Sequence, residues 1–498
     1  MSSIWIIIFG LVLAGIAVNK FLSHRRNALY NSKIPGPLFA ALSDIPFSYH
    51  IMVGDHPKWI ARLHAKYGPV VRISPNELSF NTPSSWRDIY GFRKGHGVFT
   101  KSFAYDAAAF TGESRSIVNE RDPAKHAKMR KLIAPAFSER ALRDQYLLID
   151  KVTERFISEI GKRAERGEAV DLEKWFSMTT FETITDLALG ENFHSLEAGK
   201  KHPWSMFFMN GARAMGDGIA VMRFPWLMKL LLAMPPPTMK AMIRELRAHE
   251  EFTTELVKKR RNNPVDRPDI IGRILQAEDP NESFSTAFVA AQLSDCVIAG
   301  TDTTATSMST ANFYLTRNPE AMRKLQAEIR GTFNRYDEIN PASTAKLEYL
   351  NAVLQEAMRI LPPVSWAPSR EVPPGGDTVD GHFLPEGVRV STSYFAAARS
   401  PDNFKDPEEF HPERWLDGSR SAGDKLDASQ PFNLGSRVCI GKQLALVEMR
   451  LIMAKLHFKY DLTAMDHTLD WVKDSKLRLL WSKPPLMTIV KERPDVGL

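Results

Sequence analysis

The residue with the most distinctive chemical setting is Cys439, which lies in the glycine-rich stretch 431–442, PFNLGSRVCIGK. Apolar residues then recur at helical spacing, at positions 444, 447, 451 and 456, so a helix is predicted to begin after Gly441. Helix N-termini carry unpaired N–H groups and partial positive charge, and both favour a thiolate. Glycines without side chains let the backbone of this turn approach a bulky group closely. A thiolate in such a turn is suited to be an axial ligand of haem iron. The alternative is a buried structural cysteine.

A second reactive pair lies in the middle of a long predicted helix, 284–318, which stops at Pro319. The centre of this helix, residues 299–304, reads AGTDTT. Glycine costs about 1 kcal/mol relative to alanine in a helix interior, and a sequence that keeps such a cost usually has a functional reason. An acid next to an alcohol can relay protons through water. We therefore predict that Asp302 and Thr303 deliver protons; the alternative is a polar helix face in solvent.

Basic residues follow Asp122-Pro123, which is expected to open another helix. His126 and Arg130 are four residues apart and so share one helix face, where they could hold an anionic group such as a haem propionate. The neighbouring lysines 125, 128 and 131 would suit the docking of an acidic electron donor. An exposed, solvated basic face is the alternative to both interpretations.

A third pattern combines charges that are far apart in sequence. Glu356 and Arg359 are three residues apart on a predicted helix, 347–361, and can pair. Arg414 lies in the later segment 412–415, PERW. A Glu-x-x-Arg spacing is common, so its meaning depends on the motifs around it.

Taken together, these motifs resemble those of the cytochromes P450. Phe432-x-x-Gly435-x-Arg437-x-Cys439-x-Gly441 fills every fixed position of that family's haem-binding signature. Residues 299–304 match its acid–alcohol motif, and Glu356-x-x-Arg359 with the PERW segment resembles its Glu-x-x-Arg and Pro-Glu-Arg-Phe pair. His126-x-x-x-Arg130 resembles Trp-x-x-x-Arg, with histidine in place of tryptophan.

The resemblance implies a role for each of these residues. Cys439 would be the axial ligand of a haem b iron. Glu356, Arg359 and Arg414 would form a structural ion network that supports the haem-binding core. The residues that would hold the haem are His126, Arg130, Arg370, Phe432, Gly435, Arg437 and Gly441.

The resemblance also implies a fold and a reaction. The fold would be mainly α with a smaller β-rich part, preceded by a single N-terminal transmembrane helix. The reaction would be the monooxygenation of a small apolar substrate, as in fungal microsomal enzymes of secondary metabolism such as the isotrichodermin hydroxylase group. Electrons would come from an NADPH–cytochrome P450 reductase, with cytochrome b5 as a further candidate donor, because the chain has no flavin or nucleotide motif of its own.

Two other functions remain open at this point. One is a reductase-independent isomerase or dehydratase of the same fold, which could dispense with Asp302 and Thr303. The other is a membrane-anchored haem carrier or sensor, which would leave the threonine-rich helix centre unexplained.

Composition and the N-terminal residues indicate where the protein resides. The chain has 498 residues, a net charge of +7 and two cysteines, which suit a reducing compartment and exclude a disulfide framework. It contains no recognisable nucleic-acid motif. The apolar run 4–18 is followed, not preceded, by basic residues, which predicts a retained anchor with the remainder on the cytoplasmic side. A cleaved signal peptide, the alternative, would require basic residues before the run.

We therefore divide the chain into an anchor, 1–26, a proline-rich hinge, 27–40, and a catalytic domain, 41–498, on the endoplasmic reticulum membrane. Within the domain, 70–73 and 77–80 are predicted to form a hairpin, and 381–390 a second hairpin. Pro484-Pro485-Leu486 is expected as a loop that enters the substrate pocket.

Overall fold

The computed structural model describes residues 29, 32–107, 114–277, 284–416 and 423–493, and it is mainly helical. The helices are α1 (Leu38–Leu42), α2 (Ile45–Val53), α3 (His56–Tyr67), α4 (Pro83–Tyr90), α5 (Pro123–Ile133), α6 (Glu139–Glu165), α7 (Leu172–Leu189), α8 (Ser195–Ala198), α9 (Pro203–Met222), α10 (Pro225–Ala233), α11 (Pro237–Asn262), α12 (Ile270–Gln276), α13 (Thr286–Leu315), α14 (Pro319–Thr332), α15 (Pro341–Thr344), α16 (Glu348–Ile360), α17 (Tyr394–Ala398), α18 (Lys442–Lys459) and α19 (Trp471–Asp474).

The smaller β part consists of short strands. They are β1 (Val70–Ser74), β2 (Glu77–Phe80), β3 (Thr100–Lys101), β4 (Val170–Asp171), β5 (Arg370–Glu371), β6 (Asp377–Val379), β7 (His382–Leu384), β8 (Arg389–Thr392), β9 (Tyr460–Ala464), β10 (Lys476–Leu477), β11 (Trp481–Ser482) and β12 (Met487–Glu492). The largest sheet has the order β1-β2-β8-β5-β3, and a second has the order β4-β12-β9. The predicted mainly α fold with a smaller β part is confirmed.

One of the two predicted hairpins is wrong. β1 and β2 pair antiparallel, as the sequence predicts. β7 and β8 do not pair: β7 pairs with β6, whereas β8 lies between β2 and β5. The reason is burial, because Val390, Ser391 and Thr392 are buried and require sheet neighbours on both sides, while His382 and Phe383 in β7 are exposed.

The long helix α13 forms the centre of the fold and packs along α7. Most of its side chains are buried, and the helix is continuous through residues 299–304. A Cβ added at Gly300 would lie 2.7 Å from Cγ1 of Ile184 on α7. The Thr180 hydroxyl also donates to the carbonyl of Thr301 at 2.6 Å. The glycine therefore lets two helices approach closely; the helix is not locally unwound there.

The predicted anchor, 1–26, lies outside the described residues. Among the described residues, no helix is both long and apolar enough to cross a membrane. The predicted hinge, 27–40, is described in part: residues 32–37 are irregular, and α1 already begins at Leu38.

Candidate active site

The Cys439 segment is a tight loop that ends at the N-terminus of α18. Gly435–Arg437 form one 3₁₀ turn, and the Cys439 N–H donates to the Phe432 carbonyl at 2.8 Å. Gly435 has a φ of +72°, and a Cβ there would lie 1.9 Å from the Tyr90 carbonyl oxygen. Only glycine fits this position, since both the backbone conformation and the space exclude a side chain. The loop is thus fixed against α4 as well as against α18.

The electrostatic setting of the Cys439 sulfur differs from the prediction. The residue is accessible to solvent on one side. Burial on its other sides raises the pKa of the Cys439 thiol, and this outweighs the backbone N–H groups of Gly441 and Lys442 and the positive charge of Arg130. The helix N-terminus alone therefore does not make the sulfur a thiolate. A metal cation, whose cysteine ligands are deprotonated, would supply the missing positive charge.

Several cationic side chains, the cation cluster, lie beside this loop. Arg130 donates to the Val438 carbonyl at 2.7 Å, and Arg437 donates to the Arg121 carbonyl at 3.2 Å. Arg370 is buried and donates to the Tyr105 hydroxyl at 2.9 Å. Lys101, which the sequence analysis missed, is buried and donates to the carbonyls of residues 117 and 118 at 2.8 and 2.7 Å. Strand β3 brings it to β5 and so to Arg370.

The described carboxylates near these cations, Asp295, Glu120 and Asp122, offset their positive charge only in part. Burial, followed by the repulsion of Arg437 and Arg370, lowers the pKa of Lys101 to about 6. Burial and the surrounding cations lower the pKa of His126 to about 3, so this imidazole is neutral. Nη1 of Arg437 is buried and has no hydrogen-bond partner in the described part of the chain. Two carboxylates would satisfy this excess of donors and charge, and the site therefore fits the propionates of a haem.

The structure separates the side chains of Asp302 and Thr303. Thr303 is partly exposed, and its hydroxyl donates to the carbonyl of Ala299 at 2.7 Å. Asp302 is only 2% exposed, and its Oδ1 accepts a 2.7 Å hydrogen bond from Lys483. The carboxylate is therefore bound on the side of α13 that meets the C-terminal strands. The sequence contains no signal for this lysine, since it is 181 residues away.

Glu356, Arg359 and Arg414 are in direct contact and buried. Arg359 donates twice to Glu356, with both distances 2.8 Å, and Arg414 donates to Glu356 at 3.1 Å. Trp415 adds a 2.9 Å hydrogen bond from its indole N–H to Glu356, which a phenylalanine at this position could not make. Arg414 also pairs with Asp424. The sequence analysis missed the contacts of Trp415 and Asp424. The tryptophan at 415, which has an N–H donor that phenylalanine lacks, could have indicated the first of them.

The remaining predicted haem contacts, Phe432 and Gly441, lie on either side of Cys439 in the loop. Phe432 is half-buried and packs against the main core, with the Lys442 ammonium 5.7 Å from its ring centroid. A Cβ added at Gly441 would lie 4.0 Å from the Cys439 sulfur. The loop Pro484-Pro485-Leu486 lies against the start of α7, where the Leu486 N–H donates to Asp171 at 2.9 Å.

Comparison with known proteins identifies the family. The family model "Cytochrome P450" matches residues 42–490. A cytochrome P450 monooxygenase of Penicillium roqueforti, ORF11, is 41% identical over 465 residues, covering 93% of this chain and 95% of its own length. The Aspergillus oryzae monooxygenase aclL is 36% identical and covers 97% of both chains. The haem domain of cytochrome P450DA has the same fold, with a TM-score of 0.75 over 92% of this chain and 98% of its own, at 19% identity.

This chain belongs to the cytochrome P450 family, and it is a cytochrome P450 monooxygenase with a haem–thiolate iron cofactor. Its curated relatives come from fungi. The expectation drawn from the four sequence motifs is confirmed at this level.

Proposed function

We propose that this monooxygenase oxidises a small apolar intermediate of fungal secondary metabolism with electrons from an NADPH-dependent reductase. The observation that carries the proposal is the pairing of an accessible Cys439 sulfur with buried cations whose positive charge nearby carboxylates offset only in part. A haem bound there would supply the oxidising chemistry, with the thiolate favouring cleavage of the O–O bond. The placement within the isotrichodermin hydroxylase group stays a prediction.

Within this proposal, the residues of the loop and the cation cluster hold the haem. Cys439 would ligate the iron, and the cluster of Lys101, His126, Arg130, Arg370 and Arg437 would bind the propionates. Neutral His126 acts as a hydrogen-bond donor and not as a cation, because its pKa is about 3. Lys101, whose pKa is about 6 beside these cations, would become fully charged once the propionates neutralise its surroundings, whereas Arg437, with a pKa of about 10, is charged at neutral pH in either case.

Thr303 and Asp302 have separate tasks in the supply of protons. Thr303 presents its partly exposed hydroxyl on one side of α13, while Asp302 is held inside the protein on the other. The hydroxyl orients water and passes a proton toward the reacting oxygen, and the carboxylate serves as the internal acid–base group. Glu356, Arg359 and Arg414 hold the protein framework in place and take no part in the chemistry.

Electron delivery is expected on the face formed by α5 and the start of α18. Lys125, Lys128, Lys131 and Lys442 are exposed there, and Arg130 ties α5 to the Cys439 loop. A basic surface next to the thiolate would steer an acidic reductase, or cytochrome b5, to the shortest route for electrons.

Replacement of Thr303 by alanine tests the monooxygenase reaction. In Thr303→Ala, with reductase and NADPH present, we expect NADPH oxidation to continue while product formed per NADPH falls by about tenfold to a hundredfold. The measurement compares NADPH loss with product by mass spectrometry. Thr316→Ala is the matched control, because Thr316 makes the same kind of bond, 2.8 Å to the Asn312 carbonyl, about 20 Å further along α13.

Two results of this experiment would contradict the proposal. Unchanged coupling in Thr303→Ala would remove Thr303 from proton delivery. Product formation without NADPH would favour the isomerase or dehydratase alternative, and absence of turnover with any apolar substrate would favour the carrier or sensor.

Membrane attachment is proposed from the apolar N-terminal run in the sequence and from exposed apolar side chains on α1, α2 and α10. Phe39 in α1 and Ile45 in α2 are 77% and 63% exposed, and Trp226 and Leu232 in α10 are 67% and 61% exposed. α2 contacts the C-terminal half of α9, through Ser48 for example, whose hydroxyl donates to the Ala220 carbonyl at 3.0 Å. The two apolar groups are therefore neighbours, and a contiguous exposed apolar surface marks an interaction site. We propose that it rests on the endoplasmic reticulum membrane.

A fluorescent probe can test this contact in the full-length protein. A polarity-sensitive dye on Trp226→Cys is expected to shift to shorter wavelength when phosphatidylcholine vesicles are added, because the site moves into lipid. The matched control is the same dye on Leu147→Cys, which is 74% exposed on α6 and should not shift. Equal responses at both positions would contradict the proposed orientation. Native Cys296 is half-buried against the core and its thiol has a pKa raised to about 12, so it should react little with the dye. Native Cys439 is exposed, so labelling is carried out on the haem-loaded protein, in which that sulfur would ligate iron, and unsubstituted protein is labelled in parallel as a background.

A further inference from the structure

A buried lysine from the C-terminal strands reaches the centre of α13. The side chain of Lys483 is 1% exposed, and its ammonium donates to Asp302 Oδ1 at 2.7 Å and to the Thr306 hydroxyl at 2.8 Å. A carboxylate oxygen of Glu173, on α7, lies 3.5 Å away. A lysine this deeply buried is rare unless it is paired with an acid.

The hydrogen bonds fix the charge of Asp302. Oδ1 accepts from Lys483, and Oδ2 accepts from the Thr306 hydroxyl at 3.3 Å. Thr306 in turn accepts from Lys483, so its hydroxyl proton is directed to the carboxylate. Both oxygens therefore act as acceptors, as they do in an ionised carboxylate. The arrangement holds Asp302 charged and turned toward the C-terminal strands.

The position of Lys483 is itself rigid. It follows β11 directly and precedes Pro484-Pro485, whose rings restrict the backbone. Leu486 then pairs with the start of α7, donating to the Asp171 carboxylate at 2.9 Å and accepting from the Leu172 N–H at 3.0 Å. Lys483 is thus fixed on both sides before it meets α13.

Glu173 connects this buried pair with the surface. Its second oxygen accepts a 3.1 Å bond from Lys201, whose side chain is 24% exposed. Burial alone would lower the pKa of Lys483, but Asp302 and Glu173 outweigh it and raise that pKa. Burial would likewise raise the pKa of Glu173, but Lys483 and Lys201 lower it. Asp171 is the other charged group next to Glu173, and its charge acts against ionisation of Glu173.

We propose that Lys483 is a positioning residue of the monooxygenase: it keeps Asp302 ionised and sets its orientation for proton delivery, with Glu173 as its second support. This inference rests on the proposed role of Asp302. Without Lys483 the carboxylate would remain buried with no cation, and such a group becomes neutral near neutral pH instead of staying charged. Lys483 does not touch the substrate or the haem in this proposal.

The central experiment uses full-length holoenzyme carrying Lys483→Met, which removes the ammonium group and keeps an unbranched side chain one atom shorter. Product formed per NADPH is expected to fall about tenfold at pH 7 and to recover in part as the pH is raised, because high pH ionises Asp302 again. Lys483→Arg should retain most of the coupling, since it keeps the positive charge. Glu173→Gln should give a smaller loss, and Lys201→Met little or none.

A second readout does not depend on turnover. In Lys483→Met the Asp302 carboxylate would be buried without its cation, so the folded protein would resist its ionisation more than the unfolded chain does. A raised carboxyl pKa gives stability that is lost as the pH rises, so the deficit in Tm relative to wild type should grow between about pH 5 and pH 9. The double variant Lys483→Met/Asp302→Asn should remove this pH dependence, because no carboxyl remains to be ionised.

Controls separate the possible causes. Lys455→Met removes another buried lysine, paired with Asp150 and Glu154, and should lower Tm without uncoupling. If Asp302→Asn uncouples but Lys483→Met does not, the positioning role is overturned while proton delivery by Asp302 stands. If Asp302→Asn leaves coupling unchanged, the proposed role of Asp302 fails, and the positioning role fails with it. A Tm deficit in Lys483→Met that does not change with pH would also overturn the proposal.

Discussion

Cys439→Ala is expected to abolish the strongly red-shifted Soret band of the dithionite-reduced, carbon monoxide-bound protein. Of the two cysteines, Cys439 is the exposed one, and it lies at the N-terminus of a helix and beside the cation cluster. Alanine would remove the sulfur proposed to ligate the haem iron and, with it, the electron donation that favours O–O cleavage, so monooxygenase turnover should fall to background. The measurement is the absorption spectrum, followed by product analysis with reductase and NADPH.

Cys296→Ala is the matched control for this variant. Cys296 is half-buried on α13 and packs against the main core, and desolvation raises the pKa of its thiol to about 12. Its loss should leave both the Soret band and turnover unchanged. A thiolate spectrum that survives in Cys439→Ala but disappears in Cys296→Ala would overturn the assignment. Absence of any haem spectrum in well-folded wild-type protein would overturn the proposed function.

Glu356→Gln is expected to be the most destabilising single change outside the haem ligand. Glu356 and Arg359 have fully buried side chains, and Arg414 is 4% exposed at its side chain. Removing the shared anion leaves the buried Arg359 without its carboxylate partner and takes one of two from Arg414, which keeps Asp424; breaking a buried pair in this way typically costs about 3–5 kcal/mol. Because the free energy of unfolding of a folded protein is about 5–15 kcal/mol, we expect low yield, loss of haem and a large fall in Tm.

The control is an ion pair of similar chemistry on the surface. Glu255 and Lys258 pair at 2.6 Å, and their side chains are 68% and 52% exposed. Glu255→Gln should change the free energy of unfolding by less than about 1 kcal/mol, because solvent screens such a pair. Equal effects of the two substitutions on chemical unfolding would show that the buried network does not support the core.

The same network predicts the direction of acid sensitivity. Burial would raise the pKa of Glu356, but Arg359, Arg414 and the hydrogen bonds outweigh it and lower that pKa below its ordinary value. The stability that Glu356 contributes is therefore present at neutral pH and is lost as the pH falls through the folded-state pKa. Glu356→Gln has no such carboxyl, so its stability should depend less on pH in the acid range.

Local patterns in the sequence were sufficient for much of the fold and for the identity of the reactive groups. The limits of α5, α13, α16 and α18 follow from apolar periodicity and from nearby prolines, glycines and capping residues, which act within a few positions. Cys439, Arg437 and the Glu356–Arg359 pair belong to motifs with fixed spacing, so residue order alone was enough to predict their roles, and the structure shows that Glu356 and Arg359 do pair. The resemblance to the cytochromes P450 depends on those motifs alone.

Tertiary structure decided which residues that are distant in sequence come into contact. β8 pairs with β2 and β5 instead of β7, since pairing depends on which strand is buried. Gly300 serves the close approach of α7, a contact that helix propensity does not encode. Lys101 reaches the cation cluster from β3, and Lys483 reaches Asp302 from the segment after β11; both are distant in sequence from the groups they meet.

The sequence by itself determined the class of enzyme, because the ligand and its supporting motif are contiguous and their spacing is set by local backbone geometry. The electrostatic state of the site was decided by the folded structure alone. Burial raises the pKa of Cys439 and lowers that of Lys101, and a lysine 181 residues away holds Asp302. Desolvation and charge pairing depend on which atoms surround a group, and only the complete fold specifies those neighbours.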